Sequence, residues 1–104
     1  MYIVTWTYKV MEGKSRQDLS DAANADASAY LGVPGLIRKS YGIAPDLKTV
    51  VEFYLWKSKA DADRFFDREW DGVAGRRWES APMTRQDFET PVIVESAEKR
   101  LVTG

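Results

Sequence analysis

Residues 48–56, Lys-Thr-Val-Val-Glu-Phe-Tyr-Leu-Trp, are β-branched, aliphatic or aromatic almost throughout. Such a run reads as a strand. Side chains alternate across a strand, so Glu52, Tyr54 and Trp56 share one face and Val51, Phe53 and Leu55 the other. Neither face suits bulk water, so this strand needs cover on both sides. Residues 2–10 repeat the pattern, with Tyr2, Val4, Trp6 and Tyr8 opposed to Ile3, Thr5 and Thr7.

Residues 36–43 read as a second strand, joined to 48–56 by a turn at Ala44-Pro45-Asp46-Leu47. Residues 86–95 read as the last strand. Pro91 cannot donate to a ladder, so it marks an edge or a bulge there. Residues 16–32 are Ala-rich and helical, and Ser15 is placed to cap them. Counting 100° per residue from Leu19, the inward arc collects Ala22, Ala23, Asp26, Tyr30 and Val33. Alanines on that face mean either close approach to the sheet or space beneath the helix. Asp26 lies inside the arc, where a lone carboxylate is expensive without a partner; the alternative is a slight roll that leaves it at a wet edge. Val33-Pro34-Gly35 ends this helix.

Ser58 opens a second helix, with Asp61 placed for a capping box. That helix is expected to bury Ala62, Phe65, Phe66, Trp70 and, at its far end, Val73. Residues 71–83 read as an irregular connection, and the polar tail from Ser96 as frayed or wrapped around a partner subunit. The order is β-α-β-β-α-β. It predicts an α+β, ferredoxin-like domain with a four-stranded antiparallel sheet and two helices on one face. The length of 104 residues fits a single domain over 1–104, with a 2–95 core and a 96–104 tail. The sheet face away from the helices needs cover, and the simplest cover is the same face of a second copy. A homodimer is therefore expected.

Composition removes several chemistries. Cys and His are both absent, so no thiolate nucleophile, histidine dyad or common zinc site exists in this sequence. Lys and Arg number 15 against 16 Asp and Glu, a net charge of -1 that gives no reason to expect nucleic acid or a membrane as partner. No run approaches the roughly 18 apolar residues of a spanning helix, and the first residues lack a charged lead. The expected location is cytoplasmic. Aromatics make up 12%, which suits a ring-filled core or an aromatic-walled pocket.

The polar residues of the central strand mark the candidate site. A carboxylate, a phenol and an indole on one otherwise buried face resemble a binding pocket. One hairpin register puts Ser40 opposite Glu52 and Arg38 diagonal to it; a one-residue slip puts Lys39 opposite instead. A cation there would form a structural ion pair with Glu52, or Arg38 would instead hold an anionic or phenolic ligand oxygen. Trp6, Trp70 and Trp78 are the other large rings. Asn24, the single Asn, falls away from the core.

Four segments carry a resemblance. Val33-Pro34-Gly35-Leu36-Ile37-Arg38-Lys39-Ser40-Tyr41 is similar to a family entry into the second strand, and Phe53-Tyr54-Leu55-Trp56-Lys57-Ser58-Lys59-Ala60-Asp61-Ala62 to its strand-to-helix junction. Glu69-Trp70 and Thr90-Pro91-Val92-Ile93-Val94-Glu95 resemble its closing helix and last strand. Together they resemble the dimeric α+β barrel superfamily, in its YdhR-type, antibiotic-biosynthesis-like monooxygenase branch. The resemblance implies a cofactor-independent oxidation of a planar aromatic or phenolic small molecule, with neither metal nor flavin. The substrate's own carbanion then reduces dioxygen while the pocket stabilises the phenolate. Such enzymes carry Asn and, four residues on, Trp in the third strand. Here Trp56 matches but Glu52 stands at the Asn position. Haem-degrading relatives need a ligating His, which is absent. The resemblance thus implies Trp56 and Glu52 as catalytic residues. Tyr54, Arg38, Trp6 and Asp26 are the expected substrate-binding residues. A non-catalytic, stress-associated binding module is the alternative.

Overall fold

The computed structural model describes residues 1–67 and 82–104. Trp70, Val73 and Trp78 lie outside the described residues. The elements run β1 (Tyr2–Lys9), α1 (Arg16–Ala27), a 3-10 turn (Ser28–Tyr30), β2 (Leu36–Ile43), β3 (Thr49–Trp56), α2 (Lys59–Phe66), β4 (Pro82–Glu89), β5 (Val92–Glu95) and β6 (Arg100–Thr103). Among the described residues β1 to β4 form one antiparallel sheet in the order β2-β3-β1-β4. This is the ferredoxin-like α+β architecture expected from the element order, with β3 and β1 central.

The helix starts are set locally. Ser15 caps α1 through a reciprocal box: its Oγ accepts from the Asp18 N–H at 3.1 Å, and Asp18 Oδ2 accepts from the Ser15 N–H at 3.0 Å. At α2 the Ser58 Oγ accepts from the Asp61 N–H at 3.2 Å but donates back to Asp61 Oδ2 at 2.9 Å. The second half of the expected box thus runs through the hydroxyl and not the Ser58 backbone. The α-helix ends at Ala27, short of residue 32, and tightens into the 3-10 turn before Gly32 takes a φ of 77°.

The hydroxyl bond of Ser58 and then the Arg64 guanidinium hold the Asp61 carboxyl below its ordinary value. The Ser15 backbone N–H does the same for Asp18. Both carboxylates thus titrate lower folded than unfolded. Their stabilising contribution is complete above about pH 4 and is lost as pH falls through the lower folded values. Urea midpoints are expected to fall between pH 5 and pH 3, and D61N to fall less steeply over the same interval.

Gly35 closes the α1–β2 connection with φ 81°, and its carbonyl accepts from the Lys57 N–H at 2.9 Å. A Cβ there would sit 2.3 Å from Asp61 Cγ. Gly35→Ala therefore combines left-handed strain with displacement of the α2 cap. It is expected to destabilise by about 2 kcal/mol or more, read as a lowered denaturant midpoint at unchanged slope.

The C-terminal region departs from expectation. The single strand over 86–95 is two strands. β4 begins at Pro82, within the stretch read as connection, and ends before Thr90-Pro91. A proline at the first position of an edge strand removes no inward ladder bond, and Pro91 interrupts the chain where it leaves the sheet. The tail from Ser96 is not frayed: it turns through Lys99, φ 52°, and pairs as β6 against β5. Arg100 Nε donates to Glu95 Oε2 at 2.5 Å across that hairpin.

Candidate functional site

The inner face of the sheet, under the helices, carries Tyr2, Val4, Trp6 and Tyr8 from β1 and Val50, Glu52, Tyr54 and Trp56 from β3. Val4, Tyr8, Glu52, Tyr54 and Trp56 are fully buried. Five of the six expected site residues lie on this side. Trp6 and Glu52 are Cα partners across β1 and β3. Asp26 reaches the same face from α1, through β2.

Tyr54 sits between the expected reactive pair. Its ring stacks on Trp56, centroids 6.0 Å apart and planes 7° from parallel. Its hydroxyl donates to Glu52 Oε1 at 3.0 Å. Glu52 and Trp56 are four residues apart on an extended strand, about 13 Å along it, and act through Tyr54 and not on each other. Burial first, and then the Glu52 charge, hold the Tyr54 phenol far above its usual value. It remains a protonated donor at physiological pH.

Phe65 and Phe66 of α2 close this side. Phe66 meets Tyr54 edge-on at 5.0 Å, Trp56 at 5.6 Å and Trp6 at 5.6 Å. These T-shaped contacts match the ring quadrupoles. Arg85 of β4 packs over Phe66 at 5.1 Å and binds Asp87 and Asp63, tying α2 to the sheet edge. Burial raises the Asp87 carboxyl, but hydrogen bonds from Arg85 and Tyr2 outweigh it and leave the group below its ordinary value. Among the described residues the Trp56 indole Nε1–H, buried among these rings, meets no hydrogen-bond acceptor.

The cation beside Glu52 is Lys39. Its Nζ lies 2.5 Å from Glu52 Oε1 and 3.7 Å from Asp26 Oδ2, and its side chain is 4% exposed. Three tyrosine rings surround it, with centroids 3.3 Å (Tyr30), 4.4 Å (Tyr41) and 4.6 Å (Tyr54) from the nitrogen. Tyr41 Oη donates to Asp26 Oδ2 at 2.7 Å. Asp26 therefore has the partner its position demanded. An ammonium in such a cage gains cation–π attraction in addition to its ion pair.

Arg38 lies elsewhere. β2 and β3 pair in neither expected register: Tyr41 is opposite Glu52, Lys39 opposite Tyr54 and Arg38 opposite Leu55. An irregularity between Leu36 and Arg38 shifts the phase of the strand. Arg38 consequently lines a groove of about 210 Å³ on the outer face with Ile3, Ser40, Phe53, Leu55 and Ile93. Lys39 was one of two candidates, and Tyr41 was not singled out. The signal was present: Tyr41 and Ile43 form the apolar side of β2 and Ser40 and Gly42 the small polar side. Phase from Tyr41 carries Lys39 inward.

No protein-family model matches the chain, and no curated protein matches it. Solved structures do match at the level of fold. A monooxygenase from the gene ActVA-Orf6 of Streptomyces coelicolor, solved with nanaomycin D, aligns with TM-score 0.63 at 16% identity over 86% of this chain and 86% of that one. SnoaB, a cofactor-independent oxygenase from Streptomyces nogalater, aligns with TM-score 0.65 at 10% identity over 91% of this chain and 97% of that one. A dimeric ferredoxin-like protein from Bacteroides fragilis aligns with TM-score 0.55 at 11% identity over 86% and 96%. At these identities the likeness is one of fold, and that fold is ferredoxin-like.

Proposed function

We propose that this ferredoxin-like chain is a cofactor-independent monooxygenase for a planar aromatic or phenolic small molecule, working as a cytoplasmic homodimer. The observation that carries the reading is the Trp56 indole N–H, fully buried in a ring-walled face and without an acceptor among the described residues. A buried donor left unmade costs about 1–3 kcal/mol, and a ligand oxygen removes that penalty. The two oxygenases of this fold support the reaction class.

In this reading Phe65 and Phe66, which pack on Trp56 and Tyr54, give way so that the substrate's ring lies against the aromatic wall of the inner face. Trp56 donates to the substrate oxygen that becomes negative as the phenol or its keto form is deprotonated. The carbanion passes electrons to dioxygen. A methylene carbon loses two hydrogens and gains one oxygen, and the second oxygen leaves as water. Tyr54 holds the indole by stacking, and Glu52 anchors Tyr54. Trp6 extends the wall towards Arg85.

The outer face supports dimerisation. Phe53 and Phe88 are 44% and 47% exposed there, next to Ile3, Val51 and Leu55. An apolar sheet face of this kind is the part a second copy covers.

Oxygen-electrode assays of the purified protein with anthrone-like tricyclic phenols test the reading. Oxygen uptake with stoichiometric quinone is expected, and a panel that yields none removes the enzymatic claim. A second reading, a non-catalytic binding module, is favoured by two contacts: Glu52 is already engaged by Lys39 and by Tyr54. It predicts saturable quenching of Trp fluorescence with no oxygen consumed.

A further inference from the structure

The geometry points to Asp26, Lys39 and Glu52 as a proton relay that connects the buried aromatic face to solvent, with Asp26 as its outer terminus. The relay deepens the monooxygenase reading, since any deprotonation on that face must export a proton. Its test does not depend on turnover.

The first two links are at hydrogen-bond distance, and the third is an ion pair that a small side-chain movement closes. Tyr54 Oη donates to Glu52 Oε1 at 3.0 Å, Glu52 Oε1 lies 2.5 Å from Lys39 Nζ, and Lys39 Nζ lies 3.7 Å from Asp26 Oδ2. Exposure rises along the same path. The side chain of Glu52 is 0% exposed, that of Lys39 is 4% and that of Asp26 is 20%. A surface groove of about 340 Å³ between the 3-10 turn and β2 is lined by Ala27, next to Asp26 in sequence, and by Tyr30 and Lys39. Among the described residues the other titratable groups on the path are Tyr8 of β1, Tyr30 of the 3-10 turn and Tyr41 of β2.

The transfers balance without a co-reactant. A proton delivered to the Glu52 carboxylate makes a carboxyl. Lys39 then gives one ammonium proton to Asp26 and takes the Glu52 proton in the same movement. Asp26 releases its proton to solvent, and Lys39 ends with its original charge. A static ion pair needs only one carboxylate. The second, half-wet carboxylate on the far side of Lys39 is what makes a conduit of it.

Solvent hydrogen exchange at Lys39 Nζ, followed by NMR on lysine-labelled protein, tests the relay. Asp26→Asn keeps the shape and an acceptor for Tyr41 but cannot carry the proton. Exchange is expected to slow at least fivefold in D26N and to recover in D26E. Exchange in D26N as fast as in the wild type overturns the relay. So does equal slowing in both variants, which would assign the effect to packing. Failure of the oxygen assay alone removes the reaction and leaves this result standing.

Discussion

Lys39→Met is expected to cost the fold about 3–5 kcal/mol, the penalty of leaving a buried carboxylate without its counter-charge. Methionine keeps much of the lysine stem's volume, so the loss isolates the charge. Glu52 is wholly inaccessible and sits 2.5 Å from the ammonium. Without Lys39 it must either stay ionised in a ring-lined interior or take up a proton, and both are unfavourable. Domains of this size have about 5–15 kcal/mol in total, so the variant approaches the limit of folding. The pair can be tested against its own removal. A double variant, Lys39→Met with Glu52→Leu, is expected to regain most of the stability, because an apolar pair of similar size replaces a buried ion pair at little or no cost. Urea titrations of the three proteins at pH 7 measure this. A loss below 1 kcal/mol in the single variant would mean that Glu52 is hydrated and the cage open.

The second large effect concerns turnover. Trp56→Phe is expected to lower kcat by about 10²–10³-fold, the range for removing one donor from an oxyanion-binding position. Phenylalanine retains a ring to stack on Tyr54 and to meet Phe66, so KM should change little. Truncation to Ala, by contrast, would open a cavity costing about 3–5 kcal/mol. Parallel unfolding curves therefore separate chemistry from packing. Unchanged kcat in Trp56→Phe with an authenticated substrate would exclude the indole N–H from the reaction.

The site was legible where one strand decides it. Glu52, Tyr54 and Trp56 share a face because side chains alternate in any extended segment, whatever it pairs with. Helical phase left Asp26 between the inward arc and a wet edge; its side chain is 20% exposed and meets Lys39 and Tyr41. Both helix starts were visible, because capping joins residues three apart in the chain. The partner of Glu52 was left open between two registers, and the one cue, the apolar Tyr41 and Ile43 side of β2, was not read. The identity of the inward cation depends on which residue of β2 faces inward, and the irregularity between Leu36 and Arg38 reverses that choice. A one-residue shift exchanges Arg38 for Lys39 and moves the positive charge from one face of the sheet to the other.

The C-terminal hairpin was hidden for a related reason. Residues 92–95 carry the same strand signal whether they prolong β4 or leave it. Only the pairing with 100–103 distinguishes the two.

The local grammar of this chain, its strand faces, helix phases, caps and turn-forming glycines, is written in residues close together in sequence. It suffices for element order, and element order suffices for the ferredoxin-like sheet. Tertiary structure alone decided that Lys39 pairs with Glu52 inside a tyrosine cage, that Tyr54 separates Glu52 from Trp56, and that Arg38 faces outward. Those contacts join β2, β3 and the α1 region, and their free energies depend on register and burial that no short stretch of sequence contains.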